Sequence, residues 1–279
     1  MPTASPFAQG QTSPTIVDDP AAAADVLLCE LERAERPMVL TGAGLSTDSG
    51  IPDFRSPDGV WTRIKPIEFD DFIASEKAWL EDWRRRFAMA KLSAHAEPNA
   101  AHTALAQLVE AGKVTTIVTQ NIDGMHQRAG TPPDALIEIH GNSNHATCLD
   151  CGARMETDEA ERTVEETGRS PRCTACGGLV KAAVISFGQE MPEDLMIRVQ
   201  IAATQTDLIL ALGKSLAVYP VAVLPLIVLE RGAGFIIGSK LPTDLDHLVG
   251  FVLRAGLHET FADANKRAFC GKFVAPRSH

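Results

Sequence analysis

Met38-Val39-Leu40 reads as a buried strand, and it runs without a linker into Thr41-Gly42-Ala43-Gly44. Small residues at a strand's end let backbone N–H groups approach a ligand closely. A helix starting just beyond them would aim its positive end at an anion. Strand, glycine turn and helix start together point to a dinucleotide phosphate site, although an ordinary strand-to-helix turn explains G-x-G alone equally well. The full fingerprint G-x-G-x-x-G is broken, because Thr47 stands where its last glycine belongs. Ser46, Asp48 and Ser49 make the continuation polar, and Gly50-Ile51-Pro52 interrupts any long helix. Asp53-Phe54-Arg55 then sets an acid, an aromatic and a base side by side, and Trp61 closes the stretch. Merely holding a redox cofactor does not require such a cluster. It suits a loop that grips the nicotinamide end of a cofactor and prepares it to leave.

The 279 residues, 45% of them hydrophobic, suffice for one large α/β domain and a small second module. A net charge of −10 argues against a nucleic-acid binder and fits a partner that carries lysines. Residues 1–20 have neither a basic start nor an apolar core, so no signal peptide is expected and the reading is cytoplasmic. The longest apolar run, Leu216 to Leu229, is broken by Pro220 and Pro225. It is read as a buried strand and helix rather than a membrane span.

Residues 1–14, rich in Pro, Ala, Ser, Thr and Gln, read as a disordered tail. Ile16 to Arg36 reads as a helix carrying Val26, Leu27 and Leu31, with Cys29 as a small buried hydrophobe. Residues 66–96 read as a helical insert with Phe69, Phe72, Ile73, Trp79, Leu80, Trp83, Phe87 and Leu92 as apolar positions. Arg84-Arg85-Arg86 in it reads as a solvated face, the rival being a grip on an acidic substrate. His102 to Ala111 continues as a helix that Gly112 stops.

Lys113 to Thr119 is a β-branched run, hence a buried strand, and it ends in Gln120-Asn121-Ile122-Asp123-Gly124. Polar side chains at a strand's carboxyl end are where an open parallel sheet places its ligands; a plain turn is the alternative. Leu136 to Ile139 is a further strand, followed by His140-Gly141. A lone histidine is commonly structural. This one follows the third polar strand end, which favours catalysis. Val180 to Phe187, Asp207 to Leu212 and Gly234 to Gly238 read as later strands, with Gly213-Lys214-Ser215 as another small-residue turn. Strands alternating with helices make a Rossmann-like, doubly wound α/β sheet. Its residues are placed at 15–65, 97–142 and 180–271. Cys270 carries no signal, and the tail from Lys272 reads as frayed.

Between these strands, Cys148-x-x-Cys151 and Cys173-x-x-Cys176 are separated by 21 residues. Two such knuckles, in a chain with no secretory signal, indicate tetrahedral Zn²⁺ with four thiolates and no open position, a structural site. A redox C-x-x-C is the rival. The polar stretch between the pairs could not form a core alone, so ligation would supply folding energy to a zinc-binding lobe at 143–179.

In order, G-A-G-L-S-T-D-S-G-I-P-D-F-R at 42–55, T-Q-N-I-D-G-M-H at 119–126, H-G at 140–141, the two knuckles, F-G at 187–188 and G-K-S-L-x-V-Y-P-V-A at 213–222 resemble the sirtuins. That likeness spans roughly residues 30 to 250. It implies NAD-dependent removal of acyl groups from protein lysines, with NAD consumed as co-substrate, a Rossmann-like domain and a small zinc lobe. It implies that Ala43, Ile51, Asp53, Phe54, Asn121 and Asp123 line the nicotinamide pocket, with Gln120 and His140 facing the adjoining ribose. His140 would be the general base that leads to O-acyl-ADP-ribose, with Asn121 beside it as the second catalytic residue. Gly42, Gly44, Ser46, Arg55, Trp61, Ile122, Gly213, Lys214, Ser215 and Ser239 complete the implied NAD contacts. Segments 185–189 and 216–219 would flank the substrate peptide as added strands. The implied partners are acyl-lysine proteins met by a monomer, with no membrane and no direct nucleic acid.

The sequence departs from the family where Lys214 replaces threonine or serine and Ser239 replaces an asparagine on the adenosine ribose. Gln189 replaces a glutamate, and Ala182-Ala183 replace a Pro-Asp or Pro-Asn pair. None of these removes a group from the chemical step, so weaker or altered NAD binding is expected. The tyrosine and arginine three apart that favour succinyl or malonyl chains are absent, since Tyr219 is the only tyrosine and lies outside the insert. Trp83 and Arg86 keep only the spacing, which favours acetyl-lysine. Mono-ADP-ribosyl transfer and non-catalytic acyl-lysine binding are the competing functions. A dehydrogenase is disfavoured, because no acid follows the glycine loop at the distance of a ribose contact.

Overall fold

The computed structural model describes residues 13–267 apart from Asp58, Ser215 and Ala217. The expectations for residues 1–12, for Ser215, for Cys270 and for the tail from Lys272 lie outside the described residues. In chain order the strands and helices are β1 (Thr15–Val17), α1 (Pro20–Arg33), β2 (Pro37–Thr41), α2 (Phe69–Ala74), α3 (Glu76–Leu92) and α4 (Ala100–Glu110). There follow β3 (Thr116–Thr119), α5 (Met125–Arg128), β4 (Leu136–Glu138), β5 (Gly141–Cys148), β6 (Arg154–Glu156) and α6 (Thr157–Thr167). The chain continues through β7 (Val180–Val184), α7 (Glu193–Gln205), β8 (Leu208–Leu212), α8 (Leu224–Glu230), β9 (Gly234–Gly238), β10 (Phe251–Leu253) and α9 (Leu257–Arg267).

Seven strands form a parallel sheet in the order β1-β10-β9-β8-β2-β3-β4. Without the edge strand β1, this is the 3-2-1-4-5-6 order of a Rossmann fold. The strands are apolar on both faces because helices cover both. Along β2, Val39 joins a cluster with Leu27 and Leu31 of α1, Leu105 of α4 and Phe261 of α9. Its neighbours Met38 and Leu40 point the other way, onto Val199 of α7 and Leu224 and Val228 of α8. The order reverses direction between β2 and β8, so the crevice over their carboxyl ends is where such a sheet takes a ligand.

A second, antiparallel sheet, β6-β5-β7, carries the cysteine knuckles. Its core is shared with the helical insert: Trp83 and Phe87 of α3 pack with Ala146, Met155, Ala160, Val164 and Val180. The indole Nε1 of Trp83 donates to the Val180 carbonyl at 3.3 Å. Insert and zinc lobe thus bury their apolar faces against each other, which neither polar segment achieves alone.

Several expectations need correction. Thr15–Val17 is a strand, not helix, and α1 begins only after Asp19, whose carboxylate caps the Ala22 N–H. Cys29 is exposed, because the buried stripe of α1 runs through Ala23, Leu27 and Leu31 and leaves it on the opposite side. Ile73 and Leu92 are also exposed. Val180–Val184 pairs antiparallel with β5, so it belongs to the small sheet and not to the large one. Within the run from Leu216 to Leu229 a single turn of 3-10 helix and α8 form, with no strand among its described residues. Among the described residues no helix is long and apolar enough to cross a membrane.

Candidate active site

The polar strand ends meet over the point where the order reverses. The tip of β2 does not open an α-helix, contrary to expectation; it winds into two short 3-10 turns, Ala43–Leu45 and Thr47–Ser49. The Gly44 N–H is spent on the Gly213 carbonyl at 2.9 Å, and Gly50, at φ 87°, ends the winding. The turns of β2 and β8 interlock. A Cβ on Gly213 would lie 2.2 Å from the Leu45 nitrogen, and one on Gly42 would lie 2.6 Å from Cγ of Lys214. Such close approach of two backbones is open only to glycine.

From the tip of β3, the Asn121 side chain donates to the Gly42 carbonyl at 3.1 Å and to Ser46 Oγ at 3.2 Å. Ser46 Oγ in turn donates to Asp123 at 2.7 Å. Asp123 also caps the Met125 N–H at 3.0 Å, which starts α5. Ser46, Asn121 and Asp123 thus tie the first two strand ends into one polar unit. Ile122, between Asn121 and Asp123, is partly buried and packs against the core of the small sheet and insert.

His140 follows β4 and lies beside the Gln120 carbonyl, with Nδ1 at 3.2 Å from that oxygen. A carbonyl only accepts, so Nδ1 carries the proton and Nε2 keeps its lone pair. Burial lowers the imidazole's pKa from its ordinary value; the Gln120 contact opposes this, and the nearby Lys214 and Arg55 charges reinforce it. The ring is therefore a neutral base at cellular pH. Ile185 N–H donates to the His140 carbonyl at 2.9 Å, which fastens the histidine to the segment after β7.

The remaining candidates border this centre. Phe54, Trp61 and Phe187 form an aromatic ladder, with ring centroids 5.2 and 5.0 Å apart, and the Arg55 guanidinium lies 4.7 Å over Trp61. Asp53 accepts from the Arg55 and Ser56 N–H groups at 3.0 and 2.8 Å, so its carboxylate shapes its own loop. The Ile51 N–H reaches the Ser46 carbonyl. Ser239, one residue past β9, donates its hydroxyl to the Leu241 carbonyl at 2.8 Å. Two buried donors in this region, Gln120 Nε2 and Lys214 Nζ, have no hydrogen-bond partner.

Two histidines escaped the sequence reading of roles. His126 Nε2 lies 3.0 Å from the Thr41 hydroxyl, His102 Nε2 lies 3.4 Å from Ser46 Oγ, and the two rings meet edge to face at 5.2 Å. Burial drives His126 down to about 3 and His102 down to about 4, so both are neutral props under the Ser46–Asn121–Asp123 unit. His102 had a local signal: it stands three residues after Asn99 and closes a capping box with it.

In the small domain, the sulfur atoms of Cys148, Cys151, Cys173 and Cys176 all lie within 4.8 Å of one another. Neighbouring pairs stand 3.4 to 3.6 Å apart. A tetrahedral Zn²⁺ with Zn–S bonds of about 2.3 Å requires S–S edges of about 3.8 Å. The donor set and its spacing fit the ion.

Residues 42–220 match the profile of the Sir2 family. The chain belongs to that family. Over 220 residues it is 48% identical to an "NAD-dependent protein deacetylase" of Rhodopseudomonas palustris, covering 79% of this chain and 87% of that one. It is 47% identical over 220 residues to "NAD-dependent protein deacetylase 1" of Bradyrhizobium diazoefficiens, covering 79% and 86%. Among solved structures, a Sir2 protein with a p53 peptide and NAD⁺ superimposes with a TM-score of 0.77 at 30% identity, covering 88% of this chain and 98% of that one. This Sir2 chain thus has the parallel sheet, the four-cysteine cluster and the strand-end crevice in one molecule.

Proposed function

We propose that the protein is an NAD-dependent protein-lysine deacetylase that passes the acyl group from lysine to ADP-ribose and releases nicotinamide. The observation that carries this is the meeting of three strand ends, 42–46, 120–123 and His140, over the point where the strand order reverses. The fit to NAD rests on this chain's own atoms: orphaned buried donors at Gln120 and Lys214 and a glycine cradle beneath them suit an acceptor-rich ligand. When bound, NAD supplies the electrophilic ribose carbon and accepts the acyl group. Asn121, Asp123, Ile51 and Phe54 hold the nicotinamide end and exclude water. Ala43, Gly44, Ser46, Gly213 and Ser239 seat the rest of the dinucleotide. His140 Nε2 takes a proton from a ribose hydroxyl, while the Gln120 carbonyl keeps the ring in the required tautomer. The four cysteines hold Zn²⁺ as a structural ion, and the small domain brings segment 185–189 alongside the crevice.

Acyl-lysine peptides enter as an extended strand, a mode that reads backbone more than side chains. Acetyl is the favoured chain. Trp83 is fully buried, and Arg86 is held by Asp82 at 2.6 Å, so neither is free to meet an acidic acyl group. The working species is read as a cytoplasmic monomer acting away from membranes, and the net charge of −10 argues against nucleic acid as a direct partner. Incubation with NAD and an acetyl-lysine peptide tests the proposal. We expect free nicotinamide and a peptide lighter by one acetyl group, with succinyl peptides turning over more slowly. A peptide heavier by ADP-ribose would make the protein a transferase instead, and faster succinyl removal would reverse the acyl preference.

A further inference from the structure

Lys214 is 5% exposed, and its Nζ has no hydrogen-bond partner. It leaves the tip of β8 with its Cγ against Gly42, across the reversal in strand order. The groups that bear on it electrostatically are Arg55, from the loop after β2, and His140, from the tip of β4. Neither is an acid, and no ion pair to Lys214 or Arg55 forms among the described residues. A buried amine without acceptor or counter-charge is unfavourable unless something else supplies them. An open α/β sheet of this order seats the diphosphate of a dinucleotide over this point, and a diphosphate carries two negative charges. Two basic side chains without an acidic partner among the described residues, Lys214 and Arg55, stand there to meet it.

We propose that Lys214 is the buried charge partner of the NAD diphosphate in this protein. The inference rests on the deacetylase reading above. Burial, helped by the Arg55 charge, holds the amine well below its ordinary value in the free protein. Chains whose amine is uncharged must therefore take up a solvent proton as the diphosphate arrives. The free-state value is depressed and the bound-state value is restored. Between the two, affinity falls as pH rises, by at most tenfold per pH unit.

Titration calorimetry with ADP-ribose, which binds without reacting, tests this at pH 8 in two buffers of different ionisation enthalpy. We expect net proton uptake by the wild-type chain and none by Lys214→Met, a variant that keeps the volume. The variant should bind ADP-ribose about 10- to 100-fold more weakly, the loss of one charge-assisted contact. Adenosine, which has no phosphate, should bind both chains equally. A thermal midpoint for Lys214→Met at or above that of wild type confirms a folded variant. Absence of proton uptake by wild type overturns the assignment without any variant. So does a folded Lys214→Met with unchanged ADP-ribose affinity or unchanged uptake, and either result leaves the deacetylase reading standing. Failure of the wild-type chain to bind ADP-ribose at all overturns both.

Discussion

A proton acceptor is useful only if its lone pair is free, and the Gln120 carbonyl secures that for His140 by occupying Nδ1. Replacing His140 with asparagine keeps a polar side chain and removes the base. We expect deacetylation to fall about 10²- to 10⁴-fold while ADP-ribose affinity changes little; a parallel loss of affinity would mean the ring is a binding group. Because burial holds the imidazole below its ordinary value, the base loses its proton before pH 7. The rate should therefore rise through the acid range and level off by neutrality, which a kcat/KM profile reads. The place of His140 was legible in the sequence because it follows a strand and precedes a glycine, which here adopts φ 76°. The direction of Lys214 was not legible. Whether a long cation points to solvent or into the crevice depends on Gly42, which lies 172 positions earlier and leaves it room. Cys29 was misread because an alanine-rich helix gives little contrast between its faces.

At the scale of elements, the site depends on two turns that share one space. Gly213, at φ 65° and with a Cβ that would sit 2.2 Å from the Leu45 nitrogen, admits no side chain. Gly213→Ala should push the β2 and β8 tips apart, costing roughly 1–3 kcal/mol of stability and a larger fraction of NAD affinity. Wild-type affinity in that variant, measured by calorimetry, would show the interlock to be dispensable. Beneath the turns, the neutral His102–His126 pair joins α4, α5 and the end of β2. Both folded values lie below the unfolded 6.5, so the unfolded chain binds more protons and stability drops as pH falls from 6.5 toward 4. The loss should reach a few kcal/mol. His126→Gln should flatten that part of a denaturation-against-pH curve; an unchanged slope would clear His126 of it. The pair went unseen because pattern reading registers strands and caps, not which polar side chains share an interior. The three-residue strands β1 and β10 went unseen because alternation needs more positions to register.

At the scale of the whole molecule, the parallel sheet was readable because its strands are long apolar runs with ligand-bearing ends. The small domain was only half readable. Its knuckles announced a metal, but its core lies in contacts between residues 83–87 and 146–184, which no local pattern links. That shared core makes a further expectation concrete. Cys148 and Cys173 belong to the cluster that holds Trp83 and Phe87, so two metal ligands are also core residues. Zn²⁺ at four thiolates contributes on the order of 10 kcal/mol of binding free energy, more than a core of this size supplies on its own. Chelation should therefore melt the small domain and the insert while leaving the parallel sheet, whose two apolar clusters contain no zinc ligand. In a Trp61→Phe background the remaining tryptophans, Trp79 and Trp83, both lie on α3 and report on that domain alone. We expect their emission to shift red on chelation at a temperature where far-UV circular dichroism still shows most of the helix. Peptide turnover should vanish in the same step, because segment 185–189 hangs from β7. ADP-ribose should still bind, because its cradle lies at the tips of β2, β8 and β9. Coincident loss of both signals would mean that the two cores fold as one unit and that the metal supports the whole chain.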